Sequence, residues 1–179
     1  MRIAQDPAHA RSTSESNQGQ PVTDDLLQVL LIDENPESAR FFQGELDKVP
    51  AFKCSVQQCS TLAEALEQIS LRAPDAVLLN LALPDCQGLE CVERIRSSNL
   101  NVPLVVLTGG EDVNIELATI QAGAQDILSK DMFDGRLCAR AIRHSIQRKA
   151  AEAELAYMAR HDQLTGLVNR SLFHDYVDQ

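Results

Sequence analysis

The chain has 179 residues, of which 44% are hydrophobic, 23% charged and 4% aromatic. That apolar fraction excludes wholesale disorder, and the length suits one domain of about 100–150 residues with extensions. Sixteen basic against 26 acidic residues leave a net charge of −10, which repels nucleic acid unless a local basic patch overrides it.

Residues 1–25 are rich in Ser, Gln, Asn, Asp and Pro without periodicity and are expected to form a disordered extension. Gln28 to Ile32 is an apolar run predicted as a strand, ending at Asp33 and Glu34. Pro36 is placed to open a helix through about Lys48. Phe52 to Gln57 alternates like a strand. Ser60 or Thr61 can cap a helix through about Leu71, with Glu64 closing a capping box on Thr61. Asp75 to Asn80 is a second apolar run, Leu83 to Gly88 a loop, and Leu89 to Ser97 a helix. Val102 to Leu107 is a third apolar run. A helix over Asp112–Ala122 should stop at Gly123. Gln125 to Ser129 is the last strand, followed by Lys130. A long helix is expected over Phe133–Arg160, with a weak 4-3 seam at Leu137, Ala141, His144, Arg148, Ala151, Leu155 and Met158.

Strand and helix alternate five times, and the strands are continuous apolar runs. That pattern predicts a doubly wound α/β domain with a parallel sheet over about 26–148. Residues 149–160 would continue its last helix as a stalk. In such folds ligands sit outside the carboxyl ends of the strands. Those ends carry Asp33 and Glu34, Asn80, Thr108 and Lys130.

This residue set has the parts of phosphoryl-transfer chemistry, expected to converge on one pocket. Adjacent carboxylates suit a hard cation such as Mg²⁺. A hydroxyl and a lysine suit phosphoryl oxygens. A carboxylate on the central strand would be the nucleophile. Here that residue is Asn80, whose amide has no anionic oxygen to attack phosphorus. Any Mg²⁺ site on Asp33 and Glu34 is therefore expected to be weak or lost, and no other cofactor is implied.

The remaining polar clusters read more blandly. Five cysteines, an odd number without a secretory signal, suggest reduced thiols in a cytoplasmic protein. The C-x4-C pairs Cys54/Cys59 and Cys86/Cys91 share a spacing seen in some zinc sites. On a strand, however, Cys54 and Cys59 would face opposite ways. Arg136, Arg140, Arg143, Arg148 and Lys149 read as a solvated helix face rather than a nucleic-acid site. No apolar run of about 18 residues is present to cross a membrane.

The segments VLLIDEN (29–35), PDAVLLNLALPDCQGLE (74–90), VPLVVLTGGED (102–112) and AGAQDILSKD (122–131) resemble the receiver domain of two-component response regulators. The resemblance implies a flavodoxin-like (βα)5 sheet. It places Asp33 and Glu34 at the family's acidic metal pair, Thr108 and Lys130 at its phosphoryl-engaging hydroxyl and lysine, and Asn80 at its phospho-accepting aspartate. Three residues depart from the pattern. Asn80 replaces the nucleophile. Ile127 stands where a Tyr or Phe rotates inward in the switch. Asp131 follows the lysine where a proline, often after a cis bond, is usual. A degenerate receiver that no longer runs the phosphorylation switch is expected; Asp85 and Asp75 are the candidate substitute acceptors.

A second resemblance lies in ARHDQLTGLVNRSLF (159–173), which is similar to the opening of a GGDEF domain, the catalytic domain of diguanylate cyclases. The signature loop for metal and GTP is absent, so this chain is not itself expected to be an enzyme. Residues 161–179 are read as the start of that domain, within a longer protein. The two resemblances imply a pseudo-receiver and stalk that pair as a homodimer and align a downstream cyclase in cis to make cyclic di-GMP. The alternative is a protein-binding adaptor whose partner docks around residues 112–145.

Overall fold

The structure, a computed structural model, describes residues 26–98, 101–109, 113–131 and 133–160. The expected disordered extension (1–25) and the GGDEF-like segment (161–179) lie outside the described residues. In chain order the elements are β1 (Leu27–Ile32), α1 (Ser38–Asp47), β2 (Cys54–Cys59), α2 (Leu62–Leu71), β3 (Ala76–Asn80), β4 (Ala82–Leu83), β5 (Cys86–Gln87), α3 (Leu89–Ser97), β6 (Leu104–Thr108), α4 (Val113–Gln121), β7 (Asp126–Ser129) and α5 (Gly135–Arg160).

Five strands form one parallel sheet in the order β2-β1-β3-β6-β7, and β4 and β5 form a small antiparallel ladder. This is the doubly wound order that reverses direction between β1 and β3. The two faces of the central strands feed two separate cores. Leu30, Ile32, Val77, Leu79, Leu104 and Val106 pack against α2 and α3 through Leu62, Ile69, Val92 and Ile95. Their alternate neighbours Val29, Leu31, Ala76, Leu78, Val105 and Leu107 pack against α1 and α5 through Phe42, Leu46, Cys138 and Ile142. Burial on both sides is why these strands read as unbroken apolar runs, each fully buried Leu or Ile contributing about 1.5–3 kcal/mol. The edge strands are more polar, and every residue of β7 is only half-buried.

Several boundaries differ from the sequence reading, each for a local reason. Helix α1 starts at Ser38, not Pro36, because Asn35 builds a turn first. Its Oδ1 accepts the Glu37 N–H (3.1 Å), and its carbonyl accepts the Ser38 N–H (3.1 Å). Strand β2 spans Cys54–Cys59 rather than Phe52–Gln57; Ala51 adopts a left-handed φ of 60°, and pairing begins with Cys54 opposite Leu27. The loop over 83–88 contains the β4–β5 ladder. Helix α5 starts at Gly135, where a Cβ would collide with the Glu45 carbonyl of α1. Of its expected seam in this half, Ala141 is 3% exposed and packs on the sheet, whereas Leu137 is 48% exposed and His144 is exposed. Gly123 ends the turn after α4 with φ 111°, as a left-handed stop requires.

Helix α2 shows how local and tertiary capping combine. Thr61 is the N-cap, and its Oγ1 accepts the Glu64 N–H (3.2 Å). The Glu64 carboxylate returns to the Ser60 N–H (3.1 Å) rather than to the cap's own amide. The first two helical N–H groups, of Leu62 and Ala63, donate instead to Asp85 Oδ1 and Oδ2, both at 2.9 Å. Asp85 sits in the turn between β4 and β5, so it fastens that ladder to α2. Burial alone would raise its pKa, but the two backbone donors and nearby Arg94 outweigh it and hold the carboxyl below its ordinary range.

Two outcomes follow from these contacts. Asp85→Ala should cost about 1 kcal/mol at neutral pH, as for a lost helix cap. Because the folded-state pKa is depressed, this contribution is complete above the unfolded value and is lost as pH falls through the folded one. The difference between wild type and variant in urea melts should therefore shrink in acid. Gly135→Ala should lower stability by about 1–3 kcal/mol in the same assay, since backbone and not a flexible side chain stands in the way.

Candidate functional site

All five predicted strand-end residues sit at the carboxyl edge of the sheet. Asp33 follows β1 directly, and its backbone N–H donates to the Cys59 carbonyl at 3.1 Å, which extends the ladder by one step. Asn80 is the last residue of β3, Thr108 the last of β6, and Lys130 the first after β7. The Lys130 N–H donates to the Thr108 carbonyl at 2.7 Å, fixing the ends of β6 and β7 side by side.

Asp33 is 1% exposed and is the only buried carboxylate among the described residues. Its Oδ1 accepts the Asn35 N–H at 2.9 Å. Its Oδ2 lies 2.7 Å from Lys130 Nζ in an ion pair. Glu34, its sequence neighbour, is exposed. The Asn80 side chain turns to its own loop: Nδ2 donates to the Ala82 carbonyl at 3.2 Å, and Oδ1 accepts the Ala82 N–H at 3.3 Å. Thr108 Oγ1 is buried with no hydrogen-bond partner among the described residues.

Asp33 and Lys130 line a small pocket of about 170 Å³ floored by Phe41, Phe42 and Phe133. Asn80 and Thr108 line a different cleft of about 620 Å³ on the β3–β6 side. The ion pair belongs wholly to the first, and no charged residue lines the second among those described. Ile127, at the predicted switch position, lies in neither. It is half-buried against the α2–α3 core and lines a groove of about 400 Å³ with Glu116, Leu117, Ile120 and Asp126.

This donor set does not fit a magnesium ion. The one buried carboxylate already has an amide on one oxygen and an ammonium on the other. Glu34 is exposed, and the amide of Asn80 is folded onto Ala82. Hard cations of this kind need carboxylate oxygens that are free to coordinate.

The two candidate substitute acceptors are placed elsewhere. Asp85 caps α2. Asp75 lies at the amino end of β3, where its Oδ2 accepts the Gln28 N–H at 2.7 Å. The lysine loop holds no cis peptide bond among the described residues. All five cysteines are buried and free. Cys54 and Cys59 fall in opposite cores, as strand geometry requires. Burial pushes Cys54 and Cys59 up to about 11 and Cys91 and Cys138 up to about 12, so these thiols stay protonated at neutral pH.

Gln58 is a site residue that the sequence reading missed. Its Nε2 donates to the carbonyls of Asp33 and Asn35, both at 2.7 Å, and its Oε1 accepts the Ala39 N–H at 3.2 Å. It thus holds the β1–α1 loop that presents Asp33. Nothing in an edge-strand Gln-Gln pair signals such a role. The aromatic floor was equally hidden, with Phe133 edge-to-face against Phe42 at 4.6 Å and tilted against Phe41 at 5.3 Å between ring centres.

The basic cluster of α5 is not simply a solvated face. Arg143 donates to the Ala51 carbonyl and lies over the Phe52 ring at 5.1 Å. Arg148 Nη1 donates to the Gln125 carbonyl at 2.9 Å. Among the described residues no helix is long and apolar enough to cross a membrane.

Comparison with known proteins agrees with this geometry. The response regulator receiver domain family matches residues 29–142. Among curated relatives, the KDP operon transcriptional regulatory protein KdpE of Escherichia coli (strain K12) is 31% identical over 126 residues, 70% of this chain and 54% of that protein. Response regulator MprA of Mycobacterium leprae (strain TN) is 36% identical over 86 residues, 48% of this chain and 38% of that one. The chain thus spans about half the length, or less, of these relatives. Among solved structures, the signal receiver domain of a putative LuxO repressor protein from Vibrio parahaemolyticus superposes with a TM-score of 0.63 at 21% identity, over 73% of this chain and 97% of that one. NtrX from Brucella abortus gives 0.64 at 19% identity, over 80% of this chain and 32% of that one. With its sheet order, its strand-end residues and the family match over 29–142 in agreement, the chain belongs to the response regulator receiver domain family of two-component signalling.

Proposed function

We propose that this receiver domain is a pseudo-receiver: it is not phosphorylated at position 80, acts in the cytoplasm, and controls the pairing of a downstream diguanylate cyclase domain. The observation that carries this reading is the state of the pocket. Asn80 offers no anionic oxygen, and Lys130 is committed to Asp33 at 2.7 Å. The GGDEF-like run over 159–173 supports the cyclase, and α5 supplies the physical link. Its 26 residues extend about 39 Å, and residues 150–157, past the sheet, are all exposed. Leu155 on that segment is 66% exposed, an apolar surface suited to a second copy of the helix.

A second reading, an adaptor that docks a partner protein near α4, is favoured by the groove of Leu117, Ile120 and Ile127, in which Leu117 is 61% exposed. Oligomeric state separates the two. The pseudo-receiver reading predicts a dimer by light scattering, weakened by Leu155→Glu; a strict monomer at high concentration favours the adaptor.

The phosphorylation state is tested by incubating the protein with acetyl phosphate and Mg²⁺ and measuring intact mass. The wild type should gain no phosphoryl group, and a stoichiometric gain overturns the reading. Asn80→Asp supplies the missing nucleophile at the same sheet edge and should gain one phosphoryl group.

A further inference from the structure

We propose that the cleft between β3 and β6 is a binding site for a neutral, largely apolar small molecule carrying one amide or hydroxyl group, and that this ligand is the domain's input in place of phosphate. The inference rests on the pseudo-receiver reading and gives it the signal it lacks.

Location, size and chemistry each point the same way. The cleft opens at the carboxyl edge of the sheet, where doubly wound folds bind ligands. Its volume of about 620 Å³ lies within the usual range for small-molecule sites. Leu81, Leu89 and Ile115 supply apolar walls, and Ile115 remains 45% exposed. Among the described residues the polar groups of the lining are few and uncharged: Asn80, Gln87 and Thr108. Such a lining selects against ions, because a phosphate or metal entering it would lose hydration without gaining an opposite charge. The one lysine of this edge lines the other pocket and is neutralised there by Asp33.

The polar groups are also available. Thr108 Oγ1 is buried without a partner, an arrangement that ordinarily costs about 1–3 kcal/mol and that a ligand's donor or acceptor would relieve. Asn80 makes only the two long contacts to Ala82, at 3.2 and 3.3 Å. The amide that removes the nucleophile thus turns this half of the edge into an uncharged recognition surface.

One wall residue allows a clean block. A Cβ built on Gly109 meets no atom within 4 Å, and its φ lies outside the left-handed region. Gly109→Leu should therefore fold normally and fill the cleft. Thr108→Val keeps the shape and removes the hydroxyl.

The test is a methyl NMR titration of the full chain with acetanilide, a neutral aromatic amide, and separately with inorganic phosphate. Acetanilide should produce saturable shifts at the methyls of Leu81, Leu89 and Ile115. Affinity should fall about three- to tenfold in Thr108→Val and at least tenfold in Gly109→Leu, with Gly109→Leu melting as the wild type does and Thr108→Val melting no lower. Phosphate should leave these methyls unmoved. Absence of saturable shifts with acetanilide, or equal affinity in Gly109→Leu, overturns the ligand site while leaving the pseudo-receiver reading intact. A phosphoryl gain from acetyl phosphate overturns that reading whatever acetanilide does.

Discussion

Lys130 has one buried anion to meet, and that anion is Asp33. A receiver edge with a carboxylate at the central strand would offer the ammonium two acidic neighbours and would hold two like charges close together, a costly arrangement that shifts protonation or draws in a cation. The amide of Asn80 removes that conflict. Asp33 then spends one oxygen on the Asn35 N–H and the other on Lys130, and the charges of the pair cancel. Only the Asp33 side of the pair is buried, the Lys130 side chain being 32% exposed, so the costly event is leaving the carboxylate without its partner. The ammonium of Lys130 thus compensates the buried carboxylate, while the described residues around Asn80 and Thr108 carry no charge.

How much of this was legible depended on whether a feature is written in periodicity or in contact. The central strands β1, β3 and β6 could be read because burial on both faces forces unbroken apolar runs. The edge strand β2 was displaced by two residues, because Phe52 is buried as a plug beside the left-handed turn at Ala51 and its apolar character mimics strand patterning. The strand-end residues were legible in place, since the order of elements fixes which residue reaches the edge. Their contacts were not, because these follow from where side chains turn: Asn80 back onto Ala82, Lys130 across to Asp33. Asp85 was a weaker inference for the same reason. A loop aspartate near a receiver pocket suggests chemistry, whereas its partners, the N–H groups of Leu62 and Ala63, lie more than twenty residues earlier in the chain.

A second polar knot at the opposite edge of the sheet governs α5. Arg96 donates to the carbonyls of Gly123 and Val102 at 3.1 and 2.9 Å, and to Gln125 Oε1 at 2.8 Å. The same Gln125 Oε1 accepts the Leu104 N–H at 2.7 Å, and the Gln125 carbonyl accepts Arg148. Gln125 is 6% exposed, so these bonds form away from water, where an unmade one is costly. One glutamine therefore joins α3, β6 and β7 to α5. Arg148 is part of a basic cluster whose sequence alone suggests a solvated stripe, yet its charge is used to grip a main-chain carbonyl.

These contacts determine what kind of motion the stalk can carry. The start of α5 is fixed by Gly135 against the Glu45 carbonyl, and its middle by Cys138, Ala139, Ala141 and Ile142 in the core. Arg148 grips Gln125 just before the exposed segment begins. A helix held along three turns by close packing resists local bending, since packed interiors resist continuous deformation. A change at the carboxyl edge of the sheet can therefore reach residues 150–160 only as a rotation or shift of the whole helix on the sheet. Small displacements become large at the far end of a 26-residue lever.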